Sequence, residues 1–319
     1  MIPPIAHFIW LGNKLPDLAW LAVRMAVANG GFARIEVWTD NELLAADRRV
    51  QALTARYPVS IRPLTDCSDL PDARALGPRL LNVVGSLKSP AAKADVWRLR
   101  IVWQFGGIYL DSDALVLRSF EQLRHHRTFV GLEHVCLPAA LYATRNPLRW
   151  GRAAGLLVLR HSLTVGSGAA ARFSKVAGLF DLACNNAVFG AEPHSATVTE
   201  LLQRAAALPD LQAQALYELG PRLWEAATAN QTSAACAVLP PEAFYPLGPE
   251  VCADYVAADA AGTLGQAPAG APFAAHLYDS VLSRRLGHAI TGNWLHAHRT
   301  TTLLGRMVDP FLDEWRDLA

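Results

Sequence analysis

Three observations predict an α/β fold around a mostly parallel sheet. Strand and helix patterns alternate from Ile5 to Pro63. Hydrophobic residues make up 52 % of the 319 positions, enough for a large core in one large domain or two small ones. The five cysteines are odd in number and scattered, with no Cys-x-x-Cys pair, so neither a disulfide framework nor a zinc knuckle competes with that reading.

Ile5 to Leu11 is a short apolar run closed by Gly12-Asn13, the pattern of a buried strand. Asp17 is the expected cap of a helix running to about Ala28, with Leu18, Leu21, Ala22 and Met25 on one face. Gly30-Gly31 ends it. Ala33 to Thr39 reads as a second strand, Asp40 as the cap of a helix to about Tyr57, and Val59 to Pro63 as a third strand. Successive strand–helix–strand units cross over right-handed and pair in parallel. Such sheets bind nucleotides outside the carboxyl ends of their strands. Trp10 stands at one of those ends, where it either packs in the core or stacks on a flat base.

Asp66 to Ser86 carries proline and little periodicity, and is expected to be a connection with a short helix. Ser89-Pro90 is a strong helix start, an N-cap serine followed by proline at the first helical position. That helix should reach Gln104 or Phe105, with Ala94, Trp97, Ile101 and Phe105 as its apolar stripe and Asp95, Arg98 and Val102 on an adjacent face. On a surface helix Asp95 and Arg98 would form an ion pair worth roughly a few tenths of a kcal/mol. Here the helix runs straight into Gly106-Gly107-Ile108-Tyr109-Leu110-Asp111-Ser112-Asp113. Two glycines stop the helix, an apolar run follows, and two carboxylates emerge one residue apart. Residues i and i+2 of a strand share a side. Two hard oxygen ligands that close suit Mg²⁺ or Mn²⁺, with a diphosphate supplying more oxygens. A bare Asp-x-Asp is also a common solvated turn. The helix ahead of it argues for a site.

Ala91 to Arg100, followed by Gly106 to Asp113, resembles the sugar-binding region of the Asp-x-Asp glycosyltransferases. That family includes Och1-like mannosyltransferases, capsular polysaccharide transferases and the clostridial glucosylating toxins. Pro4 to Gly12 resembles the first strand of the same group. Weaker resemblance continues through Asn185 to Ala191, Leu219-Gly220-Pro221, Val238 to Pro246, Ala275 to Tyr278 and Asn293-Trp294. Leu219 stands where threonine is usual, Ala94 where serine often precedes the aspartate, and Asn293 where serine often precedes the tryptophan. The resemblance implies a GT-A fold: a Rossmann-like mixed central sheet with flanking and inserted helices. It implies one catalytic domain over 1–319, with a nucleotide-sugar half at 1–115, an acceptor and closure half at 116–299, and a terminal helix at 300–319. Residues 136 to 175 fit the pattern poorly. Cys136 to Trp150 reads as loop, Leu156 to Leu159 as an extra strand, and Gly166-Ser167-Gly168 as a flexible joint. The tail is expected to be an amphipathic helix bearing Leu303, Leu304, Met307, Phe311, Leu312 and Trp315, with both signs of charge rather than the basic face of an interfacial helix.

The implied activity is hexosyl transfer from a UDP- or GDP-sugar to a glycan or protein acceptor, metal-dependent and anomer-retaining. By the resemblance, Asp113 and Asp111 hold Mn²⁺ or Mg²⁺ with His276 as a third ligand. Asp95 and Arg98 hold donor hydroxyls and phosphate, and Asn185 or Asn186 stands near the anomeric carbon. Tyr109, Trp10 and Trp294 line the donor. No nucleophile is evident, which favours same-face attack by the acceptor. Two other readings stand beside this one: a haloacid dehalogenase-type phosphohydrolase using Asp111 and Asp113, and a nucleotide-sugar-binding protein without turnover. Lys+Arg 29 against Asp+Glu 28 leaves no basic excess for nucleic acid. No apolar run is long enough to span a bilayer, and Met1-Ile2-Pro3-Pro4 lacks a signal peptide's basic and apolar regions. A cytoplasmic role in glycan or polysaccharide assembly is therefore expected, with peripheral membrane contact left open.

Overall fold

The computed structural model describes residues 1–67, 76–142, 144–163, 168–209, 213, 218–228, 235–258 and 271–318. Strands β1 (Ile5–Trp10), β2 (Arg34–Thr39) and β3 (Val59–Pro63) pair in parallel, linked by α1 (Asp17–Asn29) and α2 (Arg48–Arg56). After α3 (Leu76–Ser86) and α4 (Pro90–Phe105), β4 (Gly107–Leu110) pairs in parallel with the free side of β1. The chain then makes β5 (Ala114–Val116) and β6 (Thr128–Val135), the helices α5 (Ala139–Tyr142), α6 (Pro147–Leu163) and α7 (Ala169–Ser174), and β7 (Asp181–Ala191). β7 lies antiparallel between β4 and β6. Helices α8 (Ala196–Ala207) and α9 (Pro221–Thr228) precede β8 (Ala237–Leu239), which runs parallel to β6 at the far edge. Across the seven strands the order is β3-β2-β1-β4-β7-β6-β8. β7 alone is reversed, so the expected mixed, Rossmann-like sheet is what the chain builds.

Side chains alternate across the strands as a pleated sheet requires. Phe8, Ile108, Leu110 and Val188 face one core, while Ile9, Tyr109 and Phe189 face the other. β9 (Ala274–His276) is followed by α10 (Asp279–Leu286), α11 (Gly292–Ala297) and α12 (Leu303–Leu318). The first core is closed by α1 and α12, the second by α3, α4, α8 and α9. A second sheet pairs β5 with β9 antiparallel, with Ala114 opposite His276. That small sheet carries a distant histidine to the residue that follows the two aspartates. Among the described residues, no helix is long and apolar enough to cross a membrane.

Several expectations need correction. Asp17 opens α1 but does not cap it; its carboxylate pairs with Arg49 and accepts the Gly292 N–H at 2.8 Å. Asp47, not Asp40, caps α2, accepting from the Arg49 and Val50 N–H groups. Glu42–Ala46 forms a 3₁₀ turn before it, capped by Asn41. Leu156 to Leu159 is not a strand but part of α6, and Cys136 to Trp150 includes α5 and the start of α6. A four-residue apolar run has no period of its own, so it fits either element. Gly166 and Ser167 of the expected joint lie outside the described residues.

Candidate active site

The pair Gly106-Gly107 sets the direction of the Asp-x-Asp segment. Gly106 ends α4 at φ +62° and Gly107 opens β4 at φ +108°, conformations open to glycine. A Cβ on Gly107 would stand 2.7 Å from the Ile5 carbonyl oxygen. The Gly106 carbonyl accepts from His7 Nε2 at 2.8 Å, while His7 Nδ1 accepts the Trp38 indole N–H at 3.1 Å. The second bond fixes the proton on Nε2. A buried residue of β1 thus pins the turn that aims β4.

β4 then delivers Tyr109, Asp111 and Asp113. The Tyr109 hydroxyl donates to Asp111 Oδ1 at 2.7 Å. Arg98, buried on α4, reaches the same oxygen with Nη2 at 3.2 Å and Asp95 Oδ1 at 3.3 Å. Its Nη1 donates to the Asn186 carbonyl at 2.9 Å, and its guanidinium carbon lies 4.5 Å from the Tyr109 ring centre. The Asn186 amide donates to Asp95 Oδ1 at 2.7 Å. Asp95, Arg98, Asp111, Tyr109 and Asn186 are therefore one network. Asn185 makes a separate set of contacts: its Oδ1 accepts from the Ala187 N–H at 2.8 Å, its carbonyl accepts the Tyr245 hydroxyl at 3.1 Å, and its side chain bonds Glu133.

Asp113 and His276 complete the cluster. His276 Nε2 lies 3.1 Å from Asp113 Oδ1 and 3.9 Å from Asp111 Oδ2. Asp113 Oδ2 accepts the Asp279 N–H at 2.8 Å, at the start of α10. One ligand atom from each of Asp111, Asp113 and His276 falls within 4.8 Å of the others. Two carboxylates and an imidazole whose Nε2 faces both of them are a donor set that Mn²⁺ accepts. The residues fit a divalent cation.

Electrostatics point the same way. Burial pushes the Asp95 carboxyl up, against the pull of Arg98 and the Asn186 amide. Burial would also raise Asp113, but His276 and the Asp279 N–H hold it below its ordinary value. Burial would lower His276, yet Asp113 and Asp111 carry it above the usual imidazole value. Asp111, Asp95 and Tyr109 surround Arg98 and keep its guanidinium protonated despite burial. Four carboxyl groups, on Asp95, Asp111, Asp113 and Glu133, thus gather around one guanidinium and one imidazole, an acidic setting that suits a cation.

Sequence reasoning missed part of this shell. Glu133 of β6 accepts the Tyr278 hydroxyl at 2.9 Å, and burial pushes its carboxyl up against the bonds from Asn185 and Tyr278. Tyr278 holds a left-handed backbone at φ 55° and sets its ring centre 4.2 Å from that of His276. Tyr278 lies two residues past the histidine already singled out; Glu133 sits in a strand the pattern did not reveal.

At the carboxyl ends of β1 and β2, a cavity of about 240 Å³ is lined by Leu11, Gly12, Asp40, Asn41, Pro90 and Lys93. Trp10 is half-buried beside it, for a Cβ on Gly12 would stand 3.2 Å from the Trp10 indole nitrogen. That nitrogen is buried without a hydrogen-bond partner among the described residues. Trp294 stands apart from the carboxylate cluster in its ring contacts: it stacks on His298 at 4.3 Å with its planes 20° apart.

Residues 30–130 match the family model described as a glycosyltransferase sugar-binding region containing a DXD motif. The match is to a sugar-transfer region, not to the phosphohydrolases that Asp-x-Asp alone would also allow. No curated protein matches the chain. Among solved structures, the chain is similar to the PaToxG glycosyltransferase at 15 % identity, TM-score 0.45, over 71 % of this chain and 67 % of that one. It is similar to the UDP-bound glycosyltransferase domain from the YGT toxin at 11 % identity, TM-score 0.34, over 64 % of this chain and 61 % of that one. A bifunctional WbbM glycosyltransferase is matched at 11 % identity, TM-score 0.33, over 76 % of this chain and 39 % of that one. The chain thus spans about three fifths of the YGT domain and well under half of WbbM.

Proposed function

We propose that this chain, whose residues 30–130 match the model of a glycosyltransferase sugar-binding region, transfers a hexose from a UDP- or GDP-sugar to a hydroxyl-bearing acceptor with retention of anomeric configuration. One observation carries the reading: Asp111, Asp113 and His276 converge within 4.8 Å at the edge of the Asp95–Arg98–Asn186 network. The first group suits a cation on a diphosphate; the second suits the hydroxyls of the sugar attached to it.

In this reading the nucleoside lies in the cavity at the ends of β1 and β2, with Trp10 against the base and Asp40 and Lys93 at its walls. Asp111, Asp113 and His276 hold Mn²⁺ or Mg²⁺, which when bound neutralises charge on the departing diphosphate. Arg98 is gripped by two carboxylates and so keeps a fixed orientation toward donor oxygens. Asp95, oriented by the Asn186 amide, accepts from donor hydroxyls. Tyr109 keeps Asp111 in one rotamer. Each carboxylate of the network has another role in this reading, in keeping with same-face attack by the acceptor hydroxyl, with its proton leaving toward the diphosphate oxygen. Asn185 acts through Tyr245, Glu133 and the backbone rather than on the donor. The one-domain arrangement assigned to 1–319 is part of the same proposal.

The test is a panel of nucleotide sugars with Mn²⁺, scored first by thermal shift and then by release of UDP or GDP. Metal-dependent turnover of one donor is the expected result, lost in Asp113→Asn. Turnover that survives excess chelator would remove the metal from the reading. Binding without turnover across acceptors would favour a nucleotide-sugar-binding protein.

A further inference from the structure

Independently of the sugar-transfer reading, we infer that α5 and α6 form a surface that docks on a bilayer of anionic phospholipid. Two uneven distributions in the chain carry this. Residues 134–180 contain six Lys or Arg and no Asp or Glu, while the rest of the chain holds 23 of the first kind against 28 of the second. A nearly neutral protein thus gathers its positive charge in one insert. Among the described residues, eight of the twelve exposed large apolar side chains also fall between Leu137 and Leu182. Leu148 is 81 % exposed and Val158 71 %. Clustered apolar side chains with a polar rim mark an interaction surface.

The pattern of α6 is the reason for the exposure. Ala153, Leu156 and Leu163 face the core. On the opposite side Trp150, Ala154, Leu157, Val158 and His161 recur at helical spacing, and all are exposed. A helix of a globular protein normally turns its charges to water on that side. The arginines of α6 lie off this line. Arg152 pairs with Asp181 at 2.6 Å and donates to the Leu179 carbonyl at 2.7 Å, and Arg160 pairs with Glu250 at 3.5 Å. Those bonds anchor the helix to the body. Arg145 and Arg149 at its start, and Lys175 just past α7, are exposed, and no carboxylate among the described residues pairs with them. The face is also preformed. Tyr142 and Trp150 meet edge to face at 5.9 Å, and the Trp150 indole N–H donates to the Thr144 carbonyl at 3.0 Å.

This composition selects the occupant. A bilayer boundary presents acyl chains beneath phosphate groups. Leu148, Val158 and Leu157 suit the first, and Arg145, Arg149 and Lys175 suit the second. Tyr and Trp, apolar bodies with a polar tip, favour the boundary itself. A second copy of the same face would set cation against cation, which opposes self-pairing.

The placement gives docking a consequence. The insert leaves at the end of β6 and returns at the start of β7. β7 is antiparallel to both β6 and β4, so this is the end of the sheet where β4 delivers Asp111. Docking through α5 and α6 holds that end of the sheet at the bilayer.

The experiment is co-sedimentation of the whole protein with phosphatidylcholine vesicles, with and without phosphatidylglycerol. It is run on the wild type, on the pair Arg145→Gln with Arg149→Gln, and on the pair Leu148→Gln with Val158→Gln. All four side chains are exposed, so melting temperatures should stay at the wild-type value. The wild type should bind the phosphatidylglycerol vesicles at least about tenfold tighter than phosphatidylcholine alone, and less tightly as salt is raised. The arginine pair should lose that preference, and the apolar pair should bind the anionic vesicles at least about tenfold more weakly. Brominated phosphatidylglycerol vesicles should quench wild-type tryptophan fluorescence, with most of that quenching lost in Trp150→Phe. Absence of wild-type binding to the anionic vesicles, equal binding to both compositions, or binding indifferent to both pairs would overturn the inference. Dimers in sedimentation velocity that the apolar pair dissociates, with no vesicle binding, would assign the face to a second copy instead.

Discussion

His276 Nε2 lies 3.1 Å from Asp113 Oδ1, although 163 residues separate them, because β5 and β9 pair side by side. In the metal-free protein each group favours the charged form of the other. The raised pKa of His276 gives stability that is present below its unfolded value and lost as pH rises through the folded value. The lowered pKa of Asp113 gives stability that is present above its unfolded value and lost as pH falls through the folded value. The pair should therefore stabilise the apo protein most between those limits, on the acid side of neutrality. A metal needs the neutral imidazole, so Mn²⁺ affinity should rise as pH rises through the His276 pKa, with a proton released. Calorimetry in two buffers of different ionisation enthalpy checks this. Binding without proton release, or an affinity flat from about pH 6 to about pH 9, would remove His276 from the ligand set.

Arg98 makes one claim testable by a change that keeps its charge. Arg98→Lys retains the cation but cannot reach Asp95, Asp111 and the Asn186 carbonyl together. A loss of at least about tenfold in kcat/KM is expected, equivalent to about 1.4 kcal/mol of transition-state stabilisation. The melting temperature should also fall, because a buried carbonyl loses its donor. A fall in melting temperature with unchanged kcat/KM would make Arg98 structural alone.

Trp10 separates stacking from packing. It is half-buried, beside the cavity wall at Gly12. Trp10→Ala should weaken UDP or GDP binding by about 1–3 kcal/mol, the range for base–aromatic stacking in nucleic-acid binders. Trp10→Phe should keep most of the apo stability and part of the nucleotide affinity. Equal nucleotide affinity in the wild type and Trp10→Ala, measured by calorimetry, would leave Trp10 a packing residue.

How far the sequence revealed this site depends on how local each signal is. β1, β3 and α4 were legible because their signals lie within a few residues: an apolar run before Gly12, a serine before Pro90, two glycines after Phe105. The Asp95–Arg98–Asp111–Asp113 group followed from one helix and one strand joined by those glycines. The choice of Asp47 over Asp40 was not legible, since both precede helix-forming residues and only the 3₁₀ turn at Glu42–Ala46 decides it. Nor was the reversal of β7, which depends on pairing with β4 and β6 far away in sequence. The burial of Arg100 was not legible either: it is fully buried and donates to the Cys67 carbonyl, a partner 33 residues distant. Glu133 and Glu250 carry no local signal at all; burial alone makes them notable.

Gly107 tests whether the backbone turn, rather than the carboxylates alone, builds the site. Its φ of +108° is a region that residues with side chains rarely adopt, and a Cβ there would meet the Ile5 carbonyl oxygen at 2.7 Å and His7 Nε2 at 2.8 Å. Gly107→Ala should cost about 1–3 kcal/mol in backbone strain and about as much again in overpacking against β1. The strand cannot shift without moving Asp111 and Asp113, so Mn²⁺ affinity should fall together with the urea midpoint. Gly151→Ala on α6 is the control: nothing lies within 4 Å of its Cβ position. Alanine in that helix should be neutral or stabilising by up to about 1 kcal/mol. Equal urea midpoints for Gly107→Ala and the wild type would show that the turn relaxes freely. A lowered midpoint with unchanged Mn²⁺ affinity would separate the fold of β4 from the aim of its aspartates, and the His7–Gly106 bond would then have no part in the site.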